Sequence, residues 1–482
     1  MSTATKDKGK KIVISPVTRV EGHGKVTIRM DEKGKVDYAR FHIVEFRGFE
    51  RFAQGRFYWE MPVLIQRLCG ICPVSHHLCA AKATDVIVGA DKIPVTAEKM
   101  RRLMHFGQTF QSHVLHFFHL CSPDFLFGFD SDPATRNVIG VAQTNPELAK
   151  MAILMRKYGQ EVIKATAGKK IHGTGAIPGG INKNLTIEER DFLKKDVDQM
   201  VQWSIDGLEL FKKVLHENLD YLVNFAAFDS NHLSLVRADG CLDIYDGVLR
   251  AKTADGQIIF DQVAPKDYLE YIREEVRPWS YMKFPFIKSL GMEKGWYRVG
   301  PLARINNCDF IDSPLAEKER QEMMGLTKGK PNNSSLAYHW ARLIEVLYCA
   351  EKIKELLDDK DLQGTDLVAE GKHRDEGIAI LEAPRGTLFH HYRINDTDQI
   401  TMANLIVSTT NNNEPMNQAV EWVARNELEG QKITEGLLNH VEVAIRAYDP
   451  CLSCATHAVG QMPLIIQIED AGGAVVDERI KE

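Results

Sequence analysis

Two Cys-x-x-Cys pairs stand at opposite ends of the 482-residue chain: Cys69 and Cys72 in RLCGICPVSHH, Cys451 and Cys454 in YDPCLSCATH. Each pair can aim two thiolates at one metal, so a four-thiolate site requires the two ends to fold against each other. That requirement favours one interlocked domain over separable modules. Thiolate is a soft donor that selects zinc, iron or nickel over magnesium or calcium. Bare spacing of this kind most often means structural zinc, but zinc staples usually hold pairs tens of residues apart in small folds. A chain of this length buries a large core without a staple.

Three neighbours favour a redox centre over an inert clamp. His76 lies four residues past Cys72, one helical turn on, where a ring N–H can reach a thiolate sulfur. Asp449-Pro450 immediately precedes Cys451. In EAPRGTLFHHY, Arg385 sits between Pro384 and Gly386, a stiff and compact setting for presenting a guanidinium.

Apolar residues make up 44% of the chain and charged residues 26%, ordinary for a globular protein. A net charge of -6 gives no reason to expect nucleic acid or an anionic membrane as partner. No uninterrupted apolar run is long enough to be a transmembrane segment. MSTATKDKGKK is basic and polar without an apolar stretch behind it, so residues 1–10 are expected to be a disordered lead-in, not a signal peptide. Outside the two pairs the cysteines are scattered (Cys79, Cys121, Cys241, Cys308, Cys349), which is no disulfide framework and predicts a reducing, cytoplasmic setting.

The patterning predicts a mainly α fold with a smaller β portion (α+β). Lys11 to Phe46 alternates apolar and polar residues around the turn DEKG, reading as two or three antiparallel strands. Pro62 to about Gly168 is helical in pattern and ends at the Gly/Pro-rich HGTGAIPGGINKN. TIEE at Thr186 has the form of a capping box and opens a long helix running on through VNFAA. Residues 240–265 read as a peripheral β-like insertion. Helix resumes over Ser335–Leu357, followed by strand candidates GIAILEA and ITMANLIV and the helices that lead to the last cysteine pair. His105, His116 and His119 on one helix predict core packing and hydrogen bonding more than a second metal site.

RLCGIC…H, DPCLSCATH, VTRVEGHGK around Glu21 and EAPRG resemble the large, catalytic subunit of the [NiFe] hydrogenases, collinearly from the first strand to the last cysteine pair. EFRGFERF, YMKFPF and AYDPCLSCATHAVGQMPL look most like the NAD-reducing (bidirectional) group. The resemblance implies that family's fold, a long-helix core with N-terminal antiparallel strands over residues 11–457, and a hydrogen:NAD+ oxidoreductase. It implies nickel held by all four thiolates, with Cys69 and Cys451 terminal and Cys72 and Cys454 bridging to an iron that carries CO and two cyanides. H2 would be split heterolytically. Cys451 would be the first proton acceptor and Glu21 would pass the proton outward. Arg385 would hang over the open coordination position, Asp449 would hold its aim, and Pro384 would touch the cofactor. Without the resemblance, Glu21 reads equally as a surface carboxylate and Arg385 as a structural ion pair.

One departure from the family pattern is Ser112, where many members carry an aspartate that pairs with the arginine; a neutral hydroxyl leaves Arg385 more dependent on Asp449. The resemblance also implies magnesium, or iron in some members, bound by Glu50, the backbone carbonyl of Leu405 and His457, with Glu45 as the rival carboxylate.

The chain has neither a ferredoxin-like cysteine run nor a G-x-G-x-x-G after a strand, so iron–sulfur clusters, FMN and NAD are expected only on partner subunits. By resemblance those partners are a small iron–sulfur subunit together with a flavin/iron–sulfur diaphorase. In the family a maturation protease removes a C-terminal tail, here residues 458–482, after metal insertion. Three other readings compete: an H2-sensing homologue with the same site, a metal-free respiratory-complex relative (which lacks the four cysteines), and a structural zinc protein with a four-cysteine site.

Overall fold

The alternation at the start of the chain becomes an antiparallel sheet, β1 (Lys10–Ile14), β2 (Gly24–Met30) and β3 (Val36–Ile43), in that order. Val26, Ile28, Phe41 and Ile43 face the core, as a period of two requires. Asp31 closes the β2–β3 turn by accepting the Lys33 and Lys35 N–H groups at 2.8 and 2.9 Å. The computed structural model describes residues 10–456 together with 464–469 and 475–481, so the lead-in expected over residues 1–10 lies outside the described residues except for Lys10, which opens β1.

Four long helices follow: α1 (Pro73–Ile87), α2 (Val95–Val114), α3 (Pro146–Ala167) and α4 (Ile187–Glu217). In α1 only Lys82 and Val86 escape burial, so it is a core helix, enclosed on every side, and it carries buried polar residues such as His76, His77 and Asp85 inward. α2 runs on into a π-helical turn over Leu115–Cys121. The capping box opens α4: the Glu189 N–H donates to Thr186 Oγ1 at 3.1 Å and the Thr186 N–H to Glu189 Oε2 at 3.0 Å. α4 breaks at Asn218, and a short helix over Leu219–Asn224 takes up the run again, so the helical pattern reaches VN but not FAA. Asn218 leaves the helical region and turns its amide back onto the Val214 carbonyl, competing with the helix for that acceptor.

β4 (Asn231–Val236), β5 (Val248–Lys252), β6 (Ile258–Val263) and β7 (Tyr297–Arg298) form a sheet in the order β7-β4-β5-β6. The β7–β4 pair is parallel and the others are antiparallel. Residues 240–265 therefore differ from the peripheral insertion expected: Cys241, Leu242, Ile244, Tyr245, Leu249 and Ala251 are buried. The turns at the far edge look polar in sequence, whereas the inner face packs on Ile380, Phe389 and Ile406.

Beyond α5 (Ala337–Leu357), strands β8 (Glu376–Ala383), β9 (Gly386–Ile394) and β10 (Ile400–Ile406) make an antiparallel sheet. Patterning alone marks β8 and β10 but not β9, whose TLFHHY is a β-branched and aromatic run. Helices α6 (Asn413–Val423) and α7 (Glu435–Ala447) lead to the last cysteine pair. Strands β11 (Leu464–Glu469) and β12 (Val475–Lys481) pair only with each other among the described residues. The largest apolar cluster extends from Ile12 to Ala455, and a second wraps α1 and the β8–β10 sheet around the four cysteines. About 49% helix and 19% strand agree with a mainly α fold.

Candidate metal centre

All four cysteines of the two pairs are buried, and their sulfurs lie within 4.8 Å of one another. Cys69 follows a short 3₁₀ turn (Ile65–Leu68), and its sulfur accepts the N–H groups of Ile71 and Cys72, both at 3.2 Å. Cys72 caps the N-terminus of α1, whose first residue is Pro73, so the helix dipole favours negative charge there. On the other side, Asp449 adopts a left-handed backbone (φ 52°) just after α7 and turns Cys451 into the site, where its N–H meets Thr409 Oγ1 at 3.1 Å.

The sulfurs of Cys69 and Cys451 are 3.3 Å apart and those of Cys451 and Cys454 2.7 Å, too long for disulfides, and every cysteine of the chain is free. Hydrogen bonds from Cys451, Cys454 and Cys69 hold the Cys72 thiol well below its usual range, while burial drives Cys451 and Cys454 well above theirs. Four buried thiols cannot all ionise unaided, and a soft cation resolves that conflict. The donor set therefore fits a metal held by all four sulfurs.

Arg385 stands at the tip of the β8–β9 hairpin, where Ala383 pairs with Gly386 and Pro384-Arg385 make the turn. Its Nε donates to the Asp449 carbonyl at 2.6 Å, Nη2 to Asp449 Oδ1 at 2.9 Å and Nη1 to Ser112 Oγ at 3.3 Å. Burial opposes its charge, but Asp449 and the cysteine cluster outweigh that and keep it firmly protonated. Burial pushes the Asp449 carboxyl up to about 6 against the pull of Arg385 and Arg342. Gly386 (φ 137°) permits this tip: a Cβ there would lie 2.2 Å from Val299 Cγ2.

Glu21 reaches the cluster from the β1–β2 connection. The Cys451 thiol donates to Glu21 Oε2 at 3.0 Å, the Ser453 N–H donates to the same oxygen at 3.2 Å, and the Ser453 hydroxyl donates to Oε1. Gly22 (φ 85°) lets the cysteine loop this close, since a Cβ would sit 2.7 Å from the Ser453 nitrogen. His76, one turn into α1, adds a smaller pull that keeps the Cys72 thiol low, and its Nδ1 lies 3.4 Å from His390 Nε2 of β9.

A separate acidic cluster involves the residues expected to hold a hard cation. Buried Glu50 accepts the Leu405 N–H at 2.9 Å, so the amide of Leu405, not its carbonyl, faces that carboxylate. Lys283 Nζ lies 3.5 Å from Glu50 Oε1 and 2.9 Å from Glu274 Oε1. Two carboxylates sharing one ammonium leave a net negative charge, chemistry that accommodates an oxygen-seeking cation. Glu45 instead accepts the His23 N–H at 2.8 Å and is no part of this cluster. His457 lies outside the described residues; Thr456, just before it, accepts the N–H groups of Arg47 and Gly48 beside Glu50.

His116, Cys121 and His339 also gather within ligand range. Arg342 Nη1 lies 3.3 Å from His339 Nδ1, and His116 Nε2 donates to the Arg446 carbonyl at 2.8 Å. The adjoining guanidinium disfavours a cation, so this group serves packing and hydrogen bonding, as does His105 Nε2 against the carbonyls of Ile244 and Glu382.

Sequence reasoning missed Arg304, Ser453 and Thr409. Buried Arg304 donates to Glu345 (2.6 Å), Glu382 (2.8 Å) and the Ala383 and Pro384 carbonyls (2.9 and 3.3 Å), clamping the turn that carries Arg385. Its only signal is one arginine in a short apolar stretch, which is common. Ser453, inside the second Cys-x-x-Cys, was in plain view.

Residues 47–144 and 244–457 match the family described as nickel-dependent hydrogenase, and residues 11–46 a HoxL-like family. The NAD-reducing hydrogenase HoxS subunit beta of Cupriavidus necator is 49% identical over 98% of this chain and 100% of its own. An F420-non-reducing hydrogenase (vhc) chain of Methanococcus voltae is 44% identical over 96% of this chain and 98% of its own. Among solved structures, an NAD+-reducing [NiFe]-hydrogenase in the H2-reduced state superimposes with TM-score 0.91 at 55% identity, covering 93% of this chain and 99% of that one. A [NiFeSe]-hydrogenase of Dm. baculatum shares the fold at TM-score 0.76 and 24% identity, covering 93% of this chain and 100% of that one.

Proposed function

The chain belongs to the nickel-dependent hydrogenase family, and on that premise we propose that it is the catalytic subunit of an NAD-reducing [NiFe] hydrogenase. The observation that carries the reading is the convergence of four buried sulfurs from both ends of the chain beneath Arg385 and beside Glu21. Bound by Cys69, Cys72, Cys451 and Cys454, a nickel–iron centre with CO and two cyanides supplies reversible heterolytic cleavage of H2 and accepts the electrons.

The chain's own residues do the rest. Arg385, locked by Asp449 and Ser112, presents a fixed positive charge in a water-poor pocket, where it stabilises developing negative charge without reorganising. Pro384 stiffens the turn on which that guanidinium sits. The Cys451 sulfur takes up a proton and hands it 3.0 Å on to the Glu21 carboxylate, which is partly exposed and so leads outward. The Ser453 N–H and hydroxyl hold that carboxylate in line.

Electrons leave through a small iron–sulfur subunit to a flavin diaphorase that carries NAD+. A docking face for the small subunit is supported by exposed Phe46, Phe52, Phe57 and Trp59, on the segment leading to Cys69. Large aromatic residues left to solvent in this way suit a partner surface. Magnesium at Glu50 belongs to the same reading, with His457 as a further ligand. A maturation protease cuts after His457, the last residue matched by the family. The complex works in the cytoplasm, where nine free cysteines stay reduced.

The complex purified anaerobically is expected to reduce NAD+ with H2 and to carry one nickel per copy of this chain, with iron in excess of nickel because of the partners' iron–sulfur clusters. Zinc in place of nickel, with no H2 uptake, would overturn the proposal.

A further inference from the structure

Helix α5 carries Arg342 and Glu345 one turn apart, so the two side chains are neighbours on one face. Both are fully enclosed, and Arg304, from the short helix Pro301–Asn307, is enclosed with them. Glu345 takes Arg304 through both of its oxygens, from Nε and from Nη2 at 2.6 Å each. His113, next to Ser112 in α2, donates from Nε2 to Glu345 Oε2 at 2.8 Å. The rest of the Arg304 guanidinium goes to Glu382 and to the carbonyls of Ala383 and Pro384, just before Arg385. The same helix also holds the other half of the Arg385–Asp449 pair. Arg342 Nη2 donates to the carbonyl of Ala447, the last residue of α7, at 3.0 Å, close before Asp449 in the chain.

Arg385 and Asp449 meet across 64 positions of sequence, one from a hairpin tip and the other from a helix end. Their mutual bonds fix each relative to the other. Where the pair stands over the four sulfurs is set by whatever holds the two backbones, and both are tied to one turn of α5. The helix bearing Arg304 also reaches the tip directly: a Cβ on Gly300 (φ 93°), at its N-terminus, would lie 2.9 Å from the Arg385 carbonyl oxygen. A buried ion-pair network often stabilises a fold no better than well-packed apolar side chains of similar volume. What this one adds is direction, because the planar guanidinium fork bonds its acceptors only in a fixed geometry.

We propose that Arg304 and Arg342 are positioning residues for H2 cleavage, tying the turn of Arg385 and the turn of Asp449 to one turn of α5 and so setting where the Arg385 guanidinium stands over the metal-binding sulfurs. The proposal rests on the nickel–iron reading of the cysteine cluster. Both arginines act through backbone carbonyls beside the Arg385–Asp449 pair and not on H2 itself.

The test is a double-mutant cycle on the purified complex, read as H2-dependent reduction of a viologen dye, with the infrared CO and cyanide bands counting the loaded centres. Arg304→Lys and Arg342→Lys keep a charge but lose the fork. Each is expected to slow H2 oxidation about 10-fold or more per loaded centre, since small misplacements of a reacting group are costly in rate. In an Arg385→Lys background, where no guanidinium remains to be aimed, the same substitutions are expected to slow the reaction no further. A merely structural role would apply the same factor in both backgrounds, and that result overturns the proposal, as does a wild-type rate in either single variant. If a lysine variant fails to load metal, Glu345→Gln stands in for Arg304→Lys and Arg342→Gln for Arg342→Lys. Absence of CO and cyanide bands from the wild-type complex overturns instead the nickel–iron reading beneath it.

Discussion

Glu21 and Cys451 lie side by side in a parallel bridge, with the cysteine sulfur 3.0 Å from the carboxylate, although 430 positions separate them in the chain. The bridge makes the proton route a property of the fold, because the Leu452 N–H donates to the Glu21 carbonyl at 2.9 Å and fixes the register. Glu21→Gln keeps an acceptor for Ser453 but cannot take a proton. H2 oxidation should fall by about 10²-fold or more, with nickel and iron contents unchanged. Turnover and metal analysis on the same sample check this, and a wild-type rate would contradict it.

Arg385→Lys retains a charge but loses the fork that meets both the Asp449 carbonyl and its carboxylate. H2 splitting should slow by about 10²-fold while the metals stay bound. A lysine variant turning over at the original rate would remove Arg385 from the chemistry.

Gly386→Ala tests the hairpin tip. The added methyl would fall 2.2 Å from Val299 Cγ2 on a backbone with φ 137°, so the tip must shift. The cost should be about 1–3 kcal/mol, a drop of about 1–3 °C in melting temperature for a chain of this length. Calorimetry on the variant complex reads it, and an unchanged melting point would show the tip to be slack.

Acid should destabilise the chain in a defined window. Burial lowers His77, His105 and His113 from 6.5 to about 4. They fold neutral, so below 6.5 the unfolded chain binds protons that the folded chain does not. Their contribution is complete above 6.5 and falls away as pH drops toward 4, by on the order of 3 kcal/mol per histidine. Denaturant unfolding between pH 7 and pH 4 should show the midpoint falling throughout that interval. A flat profile would mean these rings are already protonated in the native protein.

The intact mass of active enzyme should correspond to a chain ending at His457. Active enzyme that retains all 482 residues would refute removal of the tail.

Much of this was legible in the sequence because local chemistry and tertiary demand coincide. The capping box at Thr186 opens α4 where its pattern places it, and the two Cys-x-x-Cys pairs meet. What escaped was set by partners far away in sequence. β9 was not singled out because only the Pro384–Gly386 turn before it drew notice, yet pairing with β8 and β10 makes it a central strand. The 240–265 segment looked peripheral because its turns are polar, while its apolar alternation finds a buried face only against Phe389 and Ile406. Arg304 has no local signature, since its role comes from Glu345 and Glu382, dozens of residues away.

The most direct test of the central claim is X-ray absorption at the nickel edge of the purified complex. Stoichiometric nickel in a shell of cysteine sulfurs, with iron as its next heavy neighbour, is the predicted result. A complex without nickel, whose four cysteines hold zinc instead, would contradict the account.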